Sequence, residues 1–242
     1  MKKKIEVVGI VPVKANSERV KKKNLRKFGN TNLFELKLKQ LKKTKNFKNF
    51  IVSSEDKKIL KIAKQEGFLT HLRDPYYSTS LVPMSEVYSY IASAVNAEHV
   101  AWINVTNPLA DSKIYDNAVK LYKKNINKYD SLLSATEVRE NFFYKKKPLN
   151  FPRSPWPRSQ DLEPLISLPF VINILKKNNL VKWGSCVGKK PFFYILDSVS
   201  AKDIDNPEDF LFCETMYKKQ KWLGYILTKE IKKLALLQFV SN

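Results

Sequence analysis

Residues 5–25, IEVVGIVPVKANSERVKKKNL, join an apolar run to a polar, cationic loop, and this junction decides the fold. The run from Ile5 to Val13 has the continuous apolar pattern of a buried strand. The loop that follows offers three cations, a hydroxyl and an amide, from Lys14, Ser17, Arg19, Lys23 and Asn24. Cations and loop N–H groups stabilise phosphate charge, and an amide can hydrogen-bond a base edge. The stretch therefore predicts a buried strand that leads directly into a nucleotide triphosphate site.

Strand-like and helix-like segments alternate beyond this stretch, which predicts one α/β domain over residues 1–242. We expect a mainly parallel, Rossmann-like sheet flanked by helices. The other predicted strands are 50–53, 68–72, 99–105, 130–136 and 191–196. The predicted helices are 33–41, a helix from 53–56 to Gly67, 83–95, 111–124, a helix from Pro207 and a helical tail over 222–242. In the helix that Pro83 opens, one apolar stripe is expected in the core: Met84, Val87, Tyr88, Ile91 and Val95.

The charge of the chain is strongly positive, because 44 Lys and Arg residues against 23 Asp and Glu give a net charge of +21. Such a surface attracts polyanions without sequence preference. Only six of these cations are arginines, whereas proteins that read nucleic acid usually rely on arginine forks and aromatic platforms. We therefore expect a small anionic substrate and no specific nucleic-acid partner.

Two features bear on the compartment. No apolar stretch approaches the roughly 18–20 residues that a membrane-spanning helix needs. Glu6 interrupts the first apolar run, so we interpret that run as a core strand and not as a secretory signal. The two cysteines, Cys186 and Cys213, lack metal-ligand spacing and are expected to be buried thiols. Thiols of this kind are typical of a reducing environment, and we expect a cytoplasmic protein without a membrane span.

The segment 140–169 differs from the rest of the chain in composition. Its prolines exclude a continuous helix or a central strand: Pro148, Pro152, Pro155, Pro157, Pro164 and Pro169. It also carries several aromatic side chains, namely Phe142, Phe143, Tyr144 and Trp156. Because an isolated excursion would expose these rings, we expect an arm that packs on a second copy of the chain, giving a homodimer.

Asp203 and Asp205 form a D-x-D pair shortly before the helix from Pro207. In an extended backbone, residues two apart project to the same side, so the two carboxylates can share one divalent cation. Two solvated carboxylates before a helix are the plain alternative. We expect the pair to end the strand 191–196, at the edge where open α/β sheets bind ligands, and to hold Mg²⁺.

Residues 11–25 resemble the signature of the acylneuraminate (CMP-sialic acid synthetase) cytidylyltransferases, which are similar to the CMP-Kdo synthetases. In that family the loop runs R-x-x-S-x-R-x-x-x-K-N after a strand. Weaker similarities follow in SSEDKKILKIAKQEG, HLRDP, INVTNPLAD and RSQDLEP, and a specific one in DIDNPEDF, so that the resemblance covers roughly residues 5–215.

The resemblance implies a nucleotidyltransferase that joins CTP to an acidic 2-keto-3-deoxy sugar, releasing pyrophosphate. By position, the triphosphate would contact Lys14, Ser17, Arg19 and Lys23, whereas cytosine and ribose would contact Asn24, Arg73 and Ser80. The sugar would contact Asn104, Arg158 and Gln160. Mg²⁺ would bind Asp203 and Asp205, and the residues closest to the chemistry would be Lys23, Arg19 and Asp203.

The chain also departs from the family pattern. Lys14 stands where an arginine is usual, and the loop glycines are replaced by Ala15 and Asn16. A strand that lines the sugar site in the family corresponds only to PFVINI, residues 169–174. Two alternatives therefore stay open: a metal-dependent glycosyltransferase, which also combines an α/β fold with D-x-D, and a degenerate, non-catalytic nucleotide-binding relative.

Overall fold

The first predicted strand lies inside the central sheet. In the computed structural model, which describes residues 5–17 and 19–240, β1 (Val7–Pro12) belongs to a sheet of eight strands. Its residues from Val7 to Val11 are all buried, as expected for a strand covered on both faces. The loop that follows β1 therefore begins at the end of a buried central strand.

The elements have the following bounds. The further described strands are β2 (Lys27–Phe28), β3 (Thr31–Asn32), β4 (Asn49–Ser54), β5 (Leu69–Leu72), β6 (His99–Ile103), β7 (Ser131–Val138), β8 (Phe143–Tyr144), β9 (Lys147–Pro148), β10 (Leu165–Ser167), β11 (Ile172–Lys176) and β12 (Pro191–Ile195). The described helices are α1 (Leu33–Leu41), α2 (Lys57–Gln65), α3 (Met84–Ser93), α4 (Ser112–Asn125), α5 (Lys177–Trp183) and α6 (Pro207–Val240). Two short 3-10 turns cover Pro75–Ser78 and Ser159–Asp161.

Four neighbouring strands of the sheet run parallel, in the order β6, β1, β4 and β5. The register places Ile10 opposite both Ile51 and Trp102. Since the carboxyl ends of parallel strands meet at one edge, the loops that follow these four strands lie together. This edge is where a ligand site is expected.

The predicted α/β fold with a mainly parallel sheet is confirmed, and two antiparallel strands are added to it. β11 lies between β6 and β7 and runs antiparallel to both, and β10 runs antiparallel to β7. β12 restores the parallel direction on β7. A short apolar run such as 169–174 indicates a strand but not its direction, which depends on the connections. The helix α5 and the β2–β3 hairpin were not predicted.

Several predicted helix starts are observed with their caps. Asp56 accepts the Lys58 N–H at 2.6 Å, and Asp111 accepts the N–H groups of Lys113 and Ile114. The chain leaves α2 at Gly67, whose φ of +84° suits a residue without Cβ.

The apolar stripe predicted on α3 is wrong at one position. Val87, Ile91 and Val95 are buried, but Met84 is 49 % exposed. Pro83 is the N-cap residue, so that Met84 begins the first turn and lies at the sheet edge.

The helices cover the sheet from both sides. One apolar cluster joins the sheet to α1, α2, α4 and the start of α6, and a second joins it to α3 and α5. Both cysteines are buried free thiols, as predicted. In the described part of the chain, no helix is long and apolar enough to cross a membrane.

The proline-rich segment leaves the layered body and returns through β10. It forms the β8–β9 hairpin, and the rings of Phe143, Tyr144 and Trp156 are exposed. Its contact with a second copy stays a prediction. The predicted tail continues α6 up to Val240, whereas residues 241–242 and the side chains of 224–240 lie outside what the structure describes.

Candidate functional site

A cleft of about 440 Å³ lies at the edge where β1, β5 and β6 end. It brings together most of the predicted site residues, namely Lys14, Ser17, Arg19, Lys23, Asn24, Arg73, Ser80, Asn104, Asp203 and Asp205. They come from the loop after β1, from residues 73–80 after β5, from Asn104 after β6 and from the segment 203–205. The first three groups meet because the carboxyl ends of parallel strands lie at one edge of the sheet. The cleft is therefore the candidate active site.

The loop after β1 curls around its own amide side chain. Asn24, which is buried, donates from Nδ2 to the Lys14 carbonyl at 2.8 Å, and this bond closes the loop. The Lys14 ammonium lies 3.3 Å from the Thr79 carbonyl on the opposite wall. Lys22 adopts a φ of +52°, which turns the backbone before Lys23. The hydrogen bond from Asn24 to Lys14 thus closes the loop, and the cationic side chains of the loop line the cleft.

Two cations of the loop contact the segment 203–205 directly, one at a carboxylate and one at the main chain. Arg19 pairs with Asp205 at 2.8 Å, and the Lys23 ammonium donates to the Ile204 carbonyl. Burial lowers the pKa of Lys23, an effect that the charges of Asp203 and Asp205 oppose. The cationic and anionic parts of the site are therefore in contact across the cleft.

Asp203 is the more buried of the two aspartates. Burial raises the pKa of Asp203, and the like charge of Asp205 adds to this, against a hydrogen bond from Thr106 and the charge of Lys23. Its Oδ1 is buried and has no hydrogen-bond partner. An unpartnered buried carboxylate oxygen is a good ligand for a hard cation, so this donor set fits Mg²⁺.

The D-x-D pair does not end a strand, contrary to the prediction. β12 ends at Ile195, and residues 196–202 intervene before Asp203. The pair is placed instead by the Ile204 N–H, which donates to the Thr106 carbonyl at 3.0 Å just beyond β6. A loop contact and not a strand end thus brings the carboxylates to the sheet edge.

No cluster of three or more His, Cys, Asp or Glu side chains that could hold a metal occurs among the described residues. A pair of carboxylates is nevertheless typical for Mg²⁺, which keeps several waters and binds substrate phosphates. The remaining ligands would therefore come from the nucleotide.

The wall opposite the aspartates contains Arg73, whose side chain is 2 % exposed. Its Nη2 donates to the Val13 carbonyl at 2.7 Å and to Glu55 at 2.8 Å. Its Nε and the Oδ1 of Asn24 are buried and have no hydrogen-bond partner. This part of the site therefore holds one unpartnered donor and one unpartnered acceptor, a combination that can read a base edge.

Of the three residues predicted to contact the acceptor sugar, only one lies in the cleft. Asn104 lines the cleft and accepts a hydrogen bond from Trp102 Nε1 at 3.2 Å. Arg158 and Gln160 do not line the cleft: both are exposed, and Arg158 forms a two-point ion pair with Asp161 at 2.6 and 3.0 Å. The 3-10 turn that holds this pair belongs to the proline-rich segment, away from the sheet edge.

Sequence reasoning missed several residues of the site. Thr106 and Ser78 line the cleft, and Glu55 lies behind it. Thr106 could have been found from its position just after β6. Glu55 falls within the predicted helix start 53–56 and was not assigned to the site, because its partners are far away in sequence.

Comparisons with known proteins identify the family of the chain. The sequence model of the cytidylyltransferase family matches residues 8–153. A curated relative, the post-translational flagellin modification protein B of Campylobacter coli, is 25 % identical over 239 residues, which cover 89 % of this chain and 96 % of that protein.

Solved structures share the fold at low identity. The structure of CMP:2-keto-3-deoxy-manno-octonic acid synthetase complexed with CTP has a TM-score of 0.67 at 8 % identity, covering 89 % of this chain and 99 % of that one. A cytidylyltransferase from Leptospira borgpetersenii serovar Hardjo-bovis has a TM-score of 0.58 at 21 % identity, covering 86 % and 84 %. At these identities the likeness establishes the fold alone.

Proposed function

The chain belongs to the cytidylyltransferase family, and from that premise we propose that it uses CTP to activate an acidic 2-keto-3-deoxy sugar of the sialic-acid type. The products would be a CMP-sugar and pyrophosphate. The observation that carries the proposal is the single cleft in which the cationic loop faces the D-x-D pair. The flagellin-modification relative and the octonic acid synthetase fold support a sugar acid as acceptor.

The reaction needs no covalent enzyme intermediate. The anomeric hydroxyl of the sugar would attack the α-phosphorus in line, as pyrophosphate leaves from the opposite side. Catalysis then consists of positioning and charge stabilisation. Lys14, Ser17, Arg19 and Lys23 would hold the triphosphate, with Lys23 and Arg19 neutralising the charge that develops on the leaving group.

Asp203 and Asp205 are proposed to hold Mg²⁺. When bound, the ion would polarise the α-phosphate and lower the pKa of the attacking hydroxyl. The chain's own contribution is to keep Asp203 Oδ1 unpartnered and to hold Asp205 beside Arg19. Substrate phosphate is then expected to replace Asp205 as a partner of Arg19.

Cytosine recognition is assigned to the opposite wall. The unpartnered Asn24 Oδ1 would accept from the exocyclic amine, and Arg73 would donate to the ring nitrogen or carbonyl. Uracil reverses the donor and acceptor at two of these positions, so this wall would discriminate against UTP. Ser80, which lines the same cleft, would contact the ribose.

The sugar would lie on the side of Asn104. Arg158 and Gln160 remain proposed acceptor contacts, although in the single chain they lie outside the cleft. They would reach the acceptor from the second copy of a homodimer built on the proline-rich segment, or after movement of that segment. The exposed rings of Tyr144 and Trp156 support such an interface.

Pyrophosphate release tests the proposal. The protein is incubated with CTP, Mg²⁺ and a panel of sialic, legionaminic, pseudaminic and Kdo-type acids, with each component omitted in turn. We expect release that depends on one class of sugar acid. CTP binding without turnover on the whole panel would indicate a non-catalytic relative. Consumption of a preformed sugar nucleotide without pyrophosphate release would indicate a glycosyltransferase.

A further inference from the structure

Glu55 lies just after β4 and connects three segments that are distant in sequence. Its Oε1 accepts the Ala15 N–H at 2.8 Å, and its Oε2 accepts from Arg73 Nη2 at 2.8 Å and from the Ser78 hydroxyl at 2.9 Å. The carboxylate is 19 % exposed and is not part of the cleft lining. Glu55 therefore acts on the site only through its partners.

A carboxylate beside a phosphate site carries an electrostatic cost, since it repels the triphosphate. Burial alone would raise the pKa of Glu55, but the hydrogen bonds from Ala15, Arg73 and Ser78 outweigh it and lower the pKa. Glu55 is thus ionised at neutral pH, and its charge offsets the Arg73 guanidinium. Arg73 consequently offers the cleft an oriented hydrogen-bond donor but little net positive charge.

The partners of Glu55 lie in two parts of the site that have different proposed functions. Ala15 lies in the phosphate-facing loop between Lys14 and Ser17, whereas Arg73 lies in the wall proposed to read the base. The Arg73 guanidinium also holds the carbonyl of Val13, at the start of the loop. One carboxylate therefore fixes the loop and the wall relative to each other.

We propose that Glu55 is a positioning residue that sets nucleobase selection by orienting Arg73 and locking it to the phosphate-facing loop. The proposal rests on the proposed function in one respect, namely that CTP is the nucleotide bound. It does not require the sugar to be known. Its consequence is that base selection can be lost while phosphate binding is kept.

Glu55→Gln tests whether base selection can be lost while phosphate binding is kept. The amide keeps an oxygen for the Ala15 N–H but turns a donor toward Arg73, which loses its charged partner. The experiment is calorimetric titration with CTP, UTP and inorganic tripolyphosphate, each with Mg²⁺. We expect CTP affinity to fall about 10-fold, as for loss of a charged hydrogen bond, and the CTP-to-UTP ratio to approach one. Tripolyphosphate, which has no base, should bind as well as before or more tightly.

The control is Glu66→Gln, which breaks an exposed ion pair with Lys42 at the other end of α2. It should leave all three affinities unchanged. Ser78→Ala serves as a second test, because it removes one hydrogen bond of Glu55 without changing any charge. It should weaken CTP less than Glu55→Gln does, again without loss of tripolyphosphate binding.

A double-mutant cycle tests whether Glu55 acts on base selection through Arg73. If Glu55 acts through Arg73, adding Glu55→Gln to Arg73→Met should change the CTP-to-UTP ratio no further. An equal fall in the affinities of all three ligands in Glu55→Gln, or additive effects in the cycle, would overturn the proposal. So would a wild-type protein that binds CTP and UTP equally. A wild-type protein that prefers CTP but releases no pyrophosphate with any acid would refute the proposed activity alone.

Discussion

The Lys23 ammonium donates a hydrogen bond to the main-chain carbonyl of Ile204, the residue between the two aspartates. This bond places a cation of the loop after β1 against the D-x-D segment. Groups that are already in place need little reorganisation when charge develops on a leaving group. The part of the cleft proposed to act on the triphosphate is therefore organised by the fold itself.

CTP should protect the protein against thermal unfolding more than ATP, GTP or UTP. The reason is the proposed pairing of the unpartnered Asn24 acceptor and Arg73 donor with cytosine. A ligand that binds only the folded state raises the melting temperature in proportion to the logarithm of its concentration over Kd. Thermal-shift measurements at one concentration of each nucleotide with Mg²⁺ provide the check, and equal protection by all four would contradict it.

Asp203→Asn and Asp205→Asn should each lower Mg²⁺-dependent turnover by roughly 100-fold or more, because each removes a carboxylate proposed to hold the ion. The burial that raises the pKa of Asp203 makes its charge unfavourable, so Asp203→Asn should not destabilise the fold. Turnover is measured by pyrophosphate release over a range of Mg²⁺ concentrations.

The matched control for the aspartates is Glu208→Gln, an exposed acid in the first turn of α6. It should leave turnover and its Mg²⁺ dependence unchanged. If either Asp→Asn variant keeps turnover within a few-fold of the wild type, the metal assignment is wrong.

Lys37 should make the stability of the protein depend on pH. This lysine of α1 is fully buried, and its ammonium donates to the Asn107 carbonyl at 2.9 Å and to the Tyr115 hydroxyl. Burial lowers the pKa of Lys37 from 10.5 to about 7. Between these two values the unfolded chain binds the proton and the folded chain does not, so the contribution of Lys37 to stability rises with pH.

Comparison with Lys37→Met isolates this contribution from other titrating groups. The free energy of unfolding of the wild type minus that of Lys37→Met should increase from pH 7 to pH 10, by at most about 1.4 kcal/mol per pH unit. Urea denaturation at several pH values measures it. Lys39→Met, an exposed position of the same helix, should show no such trend. A difference that stays constant with pH would mean that Lys37 is charged in the folded state.

The protein should be a homodimer whose interface includes the β8–β9 segment. Tyr144 and Trp156 are 62 % and 67 % exposed, which is unusual for large rings on a monomer. Light scattering should give about twice the chain mass of 28.1 kDa. The double variant Tyr144→Ser/Trp156→Ser should dissociate, whereas Leu69→Ser, at an apolar position of the edge strand β5 that is 51 % exposed, should not. A monomeric wild type with normal turnover would rule out the interface.

The parallel core of the fold could be predicted because buried strands and capped helices have local signatures. The run before Lys14 and the helix starts at 53–56 and at Asp111 are such cases, and the resemblance to cytidylyltransferases drawn from the first loop is confirmed at the level of the family. The antiparallel direction of β11 has no local signature, since it is set by the long connection through residues 140–169.

The site was predictable where residues follow strand ends or fall in one motif, as Lys23 and Asn24 do. It was not predictable where the contact is made between distant segments. Ile204 is hydrogen-bonded to Thr106, and Glu55 is hydrogen-bonded to Ala15 and Arg73. No spacing in the sequence predicts these contacts. Arg158 shows the reverse case, in which a motif position is occupied by a local ion pair outside the cleft.

The position of Trp102 gives the protein an optical reporter of its own. The indole is buried, lines the cleft, packs edge-to-face on Tyr88 and donates to Asn104. Trp156 and Trp222 are exposed, so their emission should be centred at longer wavelength and should be quenched by iodide. Once Trp183, which is partly buried, is replaced by Phe, blue-edge fluorescence should therefore follow occupation of the proposed acceptor side in real time, without a label and without a coupled assay.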